Sequence, residues 1–284
     1  MTQAVPAPGR VAGVMGSPIA HSLSPALHLA AYRSLGLSAW TYVVREVDEA
    51  ALPGALDGLG PEWVGVSLTM PLKHAVLPLL DEISDLAAAV GAVNTVSLAA
   101  GRRRGDNTDV HGIVAALQGA GVSASGSSTA RGAVVIGGGA TAASALAALK
   151  ELGETEPVVV VRSPERAAAL LDAADRLGVR PVLATWDRAA ELVRSAPVLV
   201  STLPPGAADG LLPADLATGG VLLDVVYRPW PSVLGAAWAA AGGSAVSGLE
   251  MLVHQAAAQV QAWTGAAPDL AAMRQAGESA RHVL

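Results

Sequence analysis

The chain has 284 residues, of which 52% are hydrophobic and only 15% charged, a balance that supports one large domain or two medium ones and argues against disorder. It contains no Cys and carries a formal net charge of −6. Disulfides, thiolate nucleophiles and zinc–sulfur sites are therefore excluded, and nucleic acid, which needs clustered Lys and Arg, is disfavoured. The opening MTQAVPAPGR lacks a basic stretch followed by a sustained apolar run, so it does not read as a secretory signal, and the expected compartment is the cytoplasm. With Phe absent, the core is built from Ala, Val and Leu.

Along the chain, short apolar runs alternate with helical patterns. Val11–Met15 reads as a strand, Ser24–Leu35 as a helix, Thr41–Val47 as a strand, Glu49–Leu59 as a helix, Val64–Leu68 as a strand and His74–Ile83 as a helix. Ala92–Leu98 is a further strand, turned by AAGRRRG into a segment ending at Asp109; the Arg102–Arg104 run reads as a solvated hairpin turn. A helix from Val110 to Gln118 leads into GAGVSASGSSTAR, a loop or hinge by its Gly and Ser content. A second series follows: strands at Ala133–Ile136, Val158–Val161, Val198–Ser201 and Val221–Val225, with helices reaching Leu152 and Leu177. Leu249–Trp263 and the stretch beyond Pro268 are helical again. Alternation of this kind predicts mostly parallel sheets covered on both faces. The expected fold is α/β in two domains with a cleft between them. An N-terminal α/β domain spans 1–112 and is completed by helices from 248–284; a Rossmann-type dinucleotide-binding domain spans 113–247.

From Gly132 to Leu149 the chain is uncharged and imitates a membrane span. Three consecutive glycines make it a poor one, and strand–turn–helix fits better. Within it, AVVIGGGATAAS runs from a β-branched strand through a glycine cluster into an Ala-rich helix. Gly137 permits a tight turn, Gly139 lets a pyrophosphate approach the backbone, and the small Ala142 lets helix and strand pack closely. The three fit G-x-G-x-x-G/A in its strand-to-helix context, with phosphates expected at the helix N-terminus. The next strand ends at Arg162, with Arg166 four residues on, where an NAD site usually places Asp or Glu. Paired guanidinium groups match the extra 2′-phosphate of NADP; two plain surface arginines are the simpler alternative.

The first half is dense in polar signatures. Ser22 and Ser24 precede a helix start at Pro25, where one serine can cap the helix or both can hold a carboxylate. Lys73 follows a strand and a Pro-punctuated turn in VSLTMPLKH. It is one of two lysines, the other being Lys150, against sixteen arginines, and an ammonium can lose its proton where a guanidinium cannot. Asn94 lies in GAVNTV and Asp109 in GDNTDVHG, at a helix start where it can cap as well as catalyse. The six histidines show no metal-ligand spacing, so no metal is expected; His111 and His254 read as packing residues.

Taken in order, GSPIAHSLSP, SLTMPLK, GAVNT, GDNTD, the glycine turn, VRSPER, DVVYRP and GLEMLVHQAAAQ resemble the shikimate dehydrogenase family across almost the whole chain. The resemblance implies a two-domain enzyme reducing 3-dehydroshikimate to shikimate with NADPH, in aromatic amino-acid biosynthesis. It implies Lys73 and Asp109 as the catalytic pair, Ser22 and Ser24 as hydroxyls on the substrate carboxylate, and Thr69, Asn94, Tyr227 and Gln255 as further substrate contacts. For the cofactor it implies Gly137, Gly138, Gly139, Ala140, Thr141, Arg162, Ser163 and Arg166, with Val225, Gly248 and Met251 near the nicotinamide and Asp85 as an additional position. Several positions depart from the family pattern: Ser67 and Leu29 stand where Asn is usual, Ala140 where a glycine is, and Val161 and Ser163 where Asn and Thr are.

The expected reaction passes a hydride to the C3 carbonyl while Lys73 protonates the developing alkoxide and Asp109 orients Lys73. The partner is then a small molecule, without nucleic acid or membrane, and the chain a monomer or homodimer. Three alternatives remain: a quinate/shikimate dehydrogenase or a relative acting on another cyclic hydroxy acid, a non-catalytic NADP or metabolite sensor on the same fold, and a folate-linked NADP dehydrogenase, which the HSLSP and GDNTD segments fit poorly.

Overall fold

The computed structural model describes residues 9–123, 130–211, 216 and 219–282, apart from the side chain of Arg166. The chain divides into two compact units, one formed by Met1–Ala88, Ala92–Thr108 and Ala256–Leu284, the other by Ala89–Gly91 and Asp109–Gln255.

The first unit carries strands β1 (Val11–Gly16), β2 (Thr41–Glu46), β3 (Trp63–Leu68), β4 (Glu82–Ile83), β5 (Thr95–Ala99) and β6 (Arg102–Asp106). They form one sheet in the order β2-β1-β3-β5-β6-β4. β1 runs parallel to β2 and β3, while β5 is antiparallel to both β3 and β6. Helices α1 (Ser24–Ser34), α2 (Leu52–Asp57), α3 (Leu72–Ala75) and α4 (Asp85–Val90) join them. Met15, Leu52, Leu56, Val66, Leu72, Val93 and Val96 form the buried core. These are the inward positions of strands and helices, whose burial from water drives the packing.

Two expectations are corrected here. His74–Ile83 is not a helix: α3 ends at Ala75, a 3-10 turn covers Leu77–Leu79, and Glu82–Ile83 is a strand. Pro78 lacks the amide a longer helix would need. Nor are Arg102–Arg104 a turn. They lie on β6 paired with β5, and the reversal is made by Ala100 and Gly101, with φ of 51° and 75°.

In the second unit, α5 (Thr108–Gly119) leads, after residues outside the described set, to β7 (Val134–Ile136), α6 (Ala140–Glu151), β8 (Val158–Val161), α7 (Ala168–Leu177), β9 (Val182–Thr185), α8 (Ala189–Ser195), β10 (Val198–Ser201), β11 (Val221–Asp224), α9 (Val233–Ala240) and β12 (Ser244–Ser247). Every strand pairing is parallel, in the order β12-β11-β10-β7-β8-β9. This is the doubly wound Rossmann order, whose direction reverses between β7 and β10. The continuous Val and Leu runs of β7, β8, β10 and β11 reflect strands covered on both faces, with Ile136, Val160, Leu199, Leu222 and Trp238 in the core. The buried alanines of α6 let that helix lie close to the sheet. The uncharged Gly132–Leu149 stretch is thus β7, a glycine turn and α6. Among the described residues no helix is long and apolar enough to cross a membrane.

Two more helices, α10 (Gly248–Thr264) and α11 (Leu270–Arg281), complete the chain. Asp269 caps α11, accepting from the amides of Ala271 and Ala272 at 2.8 and 3.2 Å, and α11 packs against α1 within the first unit.

Candidate active site and dinucleotide site

In the first unit the polar signatures gather at one end of the sheet, beyond the C-terminal ends of β1 and β3 and beside the start of β5. Ser22 and Ser24, both half-buried, stand at the entry to α1. The helix has no side-chain cap from its N-cap residue Leu23; instead Ser22 Oγ accepts from the Ser24 amide at 3.3 Å. Thr69 follows β3, its amide donating to Met15 O and its carbonyl accepting from Leu72 N. A side chain at Gly16 would lie 2.4 Å from Thr69 Cγ2, so the bare backbone at the end of β1 lets Thr69 sit against it. Lys73, half-buried on α3, accepts from the Val93 amide through its carbonyl at 2.8 Å. The next residue after Val93 is Asn94, 2% exposed.

Asn94 is held from several sides. Its Oδ1 accepts from the Thr108 amide at 2.8 Å and from Thr95 Oγ1 at 2.8 Å, while its Nδ2 donates to Thr108 Oγ1 at 3.0 Å. Those donors and acceptors fix which way the amide points. A stacked aromatic group lies beside this cluster: the His28 ring is 4.0 Å from Tyr42 and 5.6 Å from Trp263. His28 is fully buried, and burial drives its imidazole down to about 4. Its Nδ1 lies 2.9 Å from Ser24 O, a carbonyl that can only accept, so Nδ1 carries the proton.

In the second unit Asp109, 4% exposed, is the second residue of α5. A side chain at Gly112, one turn on, would lie 2.6 Å from Met251 O and 3.1 Å from Gln255 Cβ. The helix carrying Asp109 therefore lies directly on the stretch of α10 carrying Met251 and Gln255. Gly248 is equally tight against Val225, whose carbonyl oxygen a Cβ would approach to 2.0 Å, and the Gly248 amide donates to Val226 O. Tyr227 is half-buried just beyond, its hydroxyl pushed above its ordinary range by that burial. Val225, Tyr227, Gly248 and Met251 thus come together beyond β11 and β12. Asp85 is exposed in the first unit as the first residue of α4; a carboxylate there suits the helix dipole.

The glycine turn joins β7 to α6. Gly137 has φ of +121°, and a Cβ on it would lie 2.1 Å from Thr202 Oγ1, so both conformation and space demand glycine. Around Gly139, by contrast, nothing lies within 4 Å of where a Cβ would stand, and α6 begins there with no side-chain cap. Open space over the exposed N-terminus of a twelve-residue helix, with Ala140 and Thr141 as its first residues, fits a pyrophosphate. A cavity of about 300 Å³ adjoins it, lined among others by Gly138, Val161, Arg162, Ser163 and Trp186. Arg162 is exposed at the end of β8, its guanidinium 5.1 Å from the Trp186 ring centre, within cation–π range. Ser163 Oγ donates to Glu165, and that bond holds the Glu165 carboxyl below its ordinary range. The backbone of Arg166 lies on the 3-10 turn Pro164–Ala167; its side chain is outside the described residues. The donor set of this unit therefore fits a phosphorylated dinucleotide.

Sequence reasoning missed Trp186, Thr95, Thr108 and Gln259. Thr95, Thr108 and Gln259 lie within GAVNT, GDNTD and GLEMLVHQAAAQ, and Trp186 is an aromatic in a chain with 3% aromatic residues. His111 and His254 face each other at 6.4 Å, and among the described residues no three His, Asp or Glu side chains converge as metal ligands.

These features define a two-unit α/β protein with a Rossmann-type dinucleotide-binding unit. Sequence families match at both ends of the chain, the shikimate dehydrogenase substrate binding domain over residues 14–96 and the shikimate 5′-dehydrogenase C-terminal domain over residues 248–276. The chain is 38% identical over 274 residues to the shikimate dehydrogenase (NADP(+)) of Methanothermobacter thermautotrophicus, covering 94% of this chain and 95% of that protein. Its structure is similar to that of shikimate dehydrogenase from Mycobacterium tuberculosis, with 46% identity, a TM-score of 0.84 and coverage of 95% and 99%. It is also similar to shikimate 5-dehydrogenase from Thermus thermophilus in complex with NADP(H) and shikimate, with 38% identity, a TM-score of 0.82 and coverage of 95% and 99%. The chain belongs to the shikimate dehydrogenase family.

Proposed function

We propose that this protein is an NADP-dependent oxidoreductase that interconverts 3-dehydroshikimate and shikimate in the shikimate pathway of aromatic amino-acid biosynthesis. The observation that carries the reading is the presence, in one member of this family, of both halves of the required chemistry. The second unit has the glycine turn with an open helix N-terminus and Arg162; the first has Lys73 and Asn94 at the sheet end with two serines at a helix entry.

When bound, the nicotinamide supplies or takes the hydride. Lys73 gives a proton to the oxygen left on the substrate carbon, and Asp109, the second catalytic residue, accepts from a neighbouring hydroxyl. Ser22 and Ser24 hold the substrate carboxylate; Thr69, Asn94, Tyr227 and Gln255 contact its remaining polar groups. Gly137 to Thr141 cradle the pyrophosphate, Arg162, Ser163 and Arg166 the 2′-phosphate, and Val225, Gly248 and Met251 flank the nicotinamide, with Asp85 as an outlying cofactor contact. In this assignment residues 1–112 with 248–284 serve the substrate and 113–247 the cofactor. The protein works on a small molecule in the cytoplasm, as a monomer or homodimer.

Initial rates with shikimate and with quinate, each with NADP⁺ and NAD⁺, test this reading. Shikimate with NADP⁺ is expected to give the highest kcat/KM. Faster turnover of quinate would move the substrate assignment, and NADP⁺ binding without any change at the nicotinamide absorbance band would replace the enzyme by a sensor.

A further inference from the structure

Outside the residues already assigned, one buried chain of polar groups runs through the first unit. It starts at Tyr42, whose hydroxyl donates to Ser67 Oγ at 2.7 Å, and Ser67 donates to Gln259 Oε1 at 2.8 Å. Gln259 Nε2 then donates to Thr95 Oγ1 at 2.9 Å and to Asn94 O at 3.2 Å. The Thr95 hydroxyl passes the sense on to Asn94 Oδ1 at 2.8 Å. Tyr42, Ser67, Thr95, Asn94 and Gln259 are all at most 7% exposed, and Gln259 is fully buried on α10.

The direction of this chain is set at Gln259. An amide has one accepting and one donating end. The NH₂ faces the Asn94 backbone carbonyl, which can only accept, as well as Thr95, and this leaves the oxygen to take the Ser67 hydrogen. Having received that hydrogen, the Thr95 hydroxyl is turned to donate to Asn94 Oδ1. That bond joins the one from the Thr108 amide, so Asn94 Oδ1 takes two donors while Nδ2 faces Thr108 Oγ1. Gln259 is also fixed in place by its neighbours: four residues on, Trp263 lies so close to β3 that a Cβ on Gly65 would come within 2.2 Å of its ring.

We propose that Gln259 is a positioning residue for the substrate site, holding Asn94 directly through its backbone carbonyl and reinforcing, through Thr95, the amide sense that the Thr108 N–H also imposes. The inference rests on the reading of Asn94 as a substrate contact. A glutamate at 259 separates polarity from packing, because it has nearly the same shape. When protonated it can accept from Ser67 and donate its one hydrogen to Thr95, losing only the longer bond to Asn94 O; when ionised it can only accept. The titratable groups around this amide are His28, Tyr32 and Tyr42. Burial takes His28 down to about 4 and both tyrosines above their ordinary range, so in the wild type none of them changes charge between about pH 5 and 9, while in Gln259→Glu the new carboxyl and the neighbouring His28 titrate as a pair.

The experiment compares KM for shikimate, kcat and the Kd for NADP⁺ in the wild type, Gln259→Leu and Gln259→Glu across that pH range. For Gln259→Leu, KM for shikimate is expected to rise about five- to tenfold, the scale of one lost neutral hydrogen bond, with Kd for NADP⁺ unchanged. For Gln259→Glu, the ratio of its KM to the wild-type KM should start near one at acid pH and climb as the buried carboxyl ionises. A flat ratio in Gln259→Glu, or an unchanged shikimate KM in a folded Gln259→Leu, overturns the proposal; if Gln259→Leu does not fold, the Gln259→Glu profile alone decides. A wild type that turns over NADP⁺ with no cyclic hydroxy acid would instead sink the functional reading.

Discussion

The two units build their candidate sites from different materials. In the second, the backbone does most of the work: Gly137 at positive φ, open space over Gly139 and the uncapped start of α6, with one exposed arginine on a tryptophan added at the rim. In the first, side chains do it, and each is oriented by another: Asn94 by Thr95 and Thr108, Thr95 by Gln259. A backbone site tolerates change in the residues around it but not in its glycines. A side-chain site inherits the donor and acceptor needs of every group behind it.

The largest effect expected from this contrast is at Lys73. Lys73→Ala should lower kcat by roughly 10²–10⁴ while the Kd for NADP⁺ stays put; stopped-flow rates and a fluorescence titration measure both, and turnover close to wild type would remove Lys73 from the chemistry. Next is the pH dependence of the first unit's interior. Because the folded state holds His28 at about 4 against 6.5 when exposed, the unfolded chain binds the extra proton between those values. Stability is then full above 6.5 and falls as pH drops toward 4, by about 3 kcal/mol. Urea midpoints over that range should show the slope in the wild type and lose it in His28→Gln.

At the rim of the other site, Arg162→Ala should weaken NADP⁺ by about 10- to 100-fold, the scale of charge-assisted bonds to a phosphate, and leave NAD⁺ nearly unaffected; equal losses for the two would remove the 2′-phosphate assignment. The smallest change concerns Glu165, which occupies the Ser163 hydroxyl. Glu165→Gln should tighten NADP⁺ by only about two- to threefold, and less at high salt, since the groups are exposed. Weaker binding in that variant would mean that Glu165 helps rather than competes.

The same contrast explains what could be read from the amino-acid order. The glycine turn is local: strand, turn and helix follow one another within twenty residues, and the uninterrupted valines of β7 and β8 announce buried parallel strands. The edges of that sheet were illegible. β9 leaves Val182 58% exposed and β12 is the short, half-polar SAVS, so neither carries the pattern of a covered strand, and α9 (VLGAAWAA) has no polar face to mark it. In the first unit, Pro78 and a two-residue strand broke what read as one helix. The residue types at the sheet end, Ser22, Thr69, Lys73 and Asn94, stood out individually. What orients Asn94 did not, since Ser67 and Gln259 lie 192 positions apart and Gln259, although it ends GLEMLVHQAAAQ, is one of three glutamines on α10 with nothing local to name its partners.

Lys150, the second lysine, donates to the Leu177 carbonyl at 2.6 Å, where a cation meets the last turn of α7. Reductive methylation with ¹³C-formaldehyde would consequently place just two side-chain labels on the folded protein, one in each unit, besides the α-amino group. The Lys150 resonance then serves as an internal standard, and the chemical shift of Lys73 followed against pH reads the basicity of its ammonium directly by NMR.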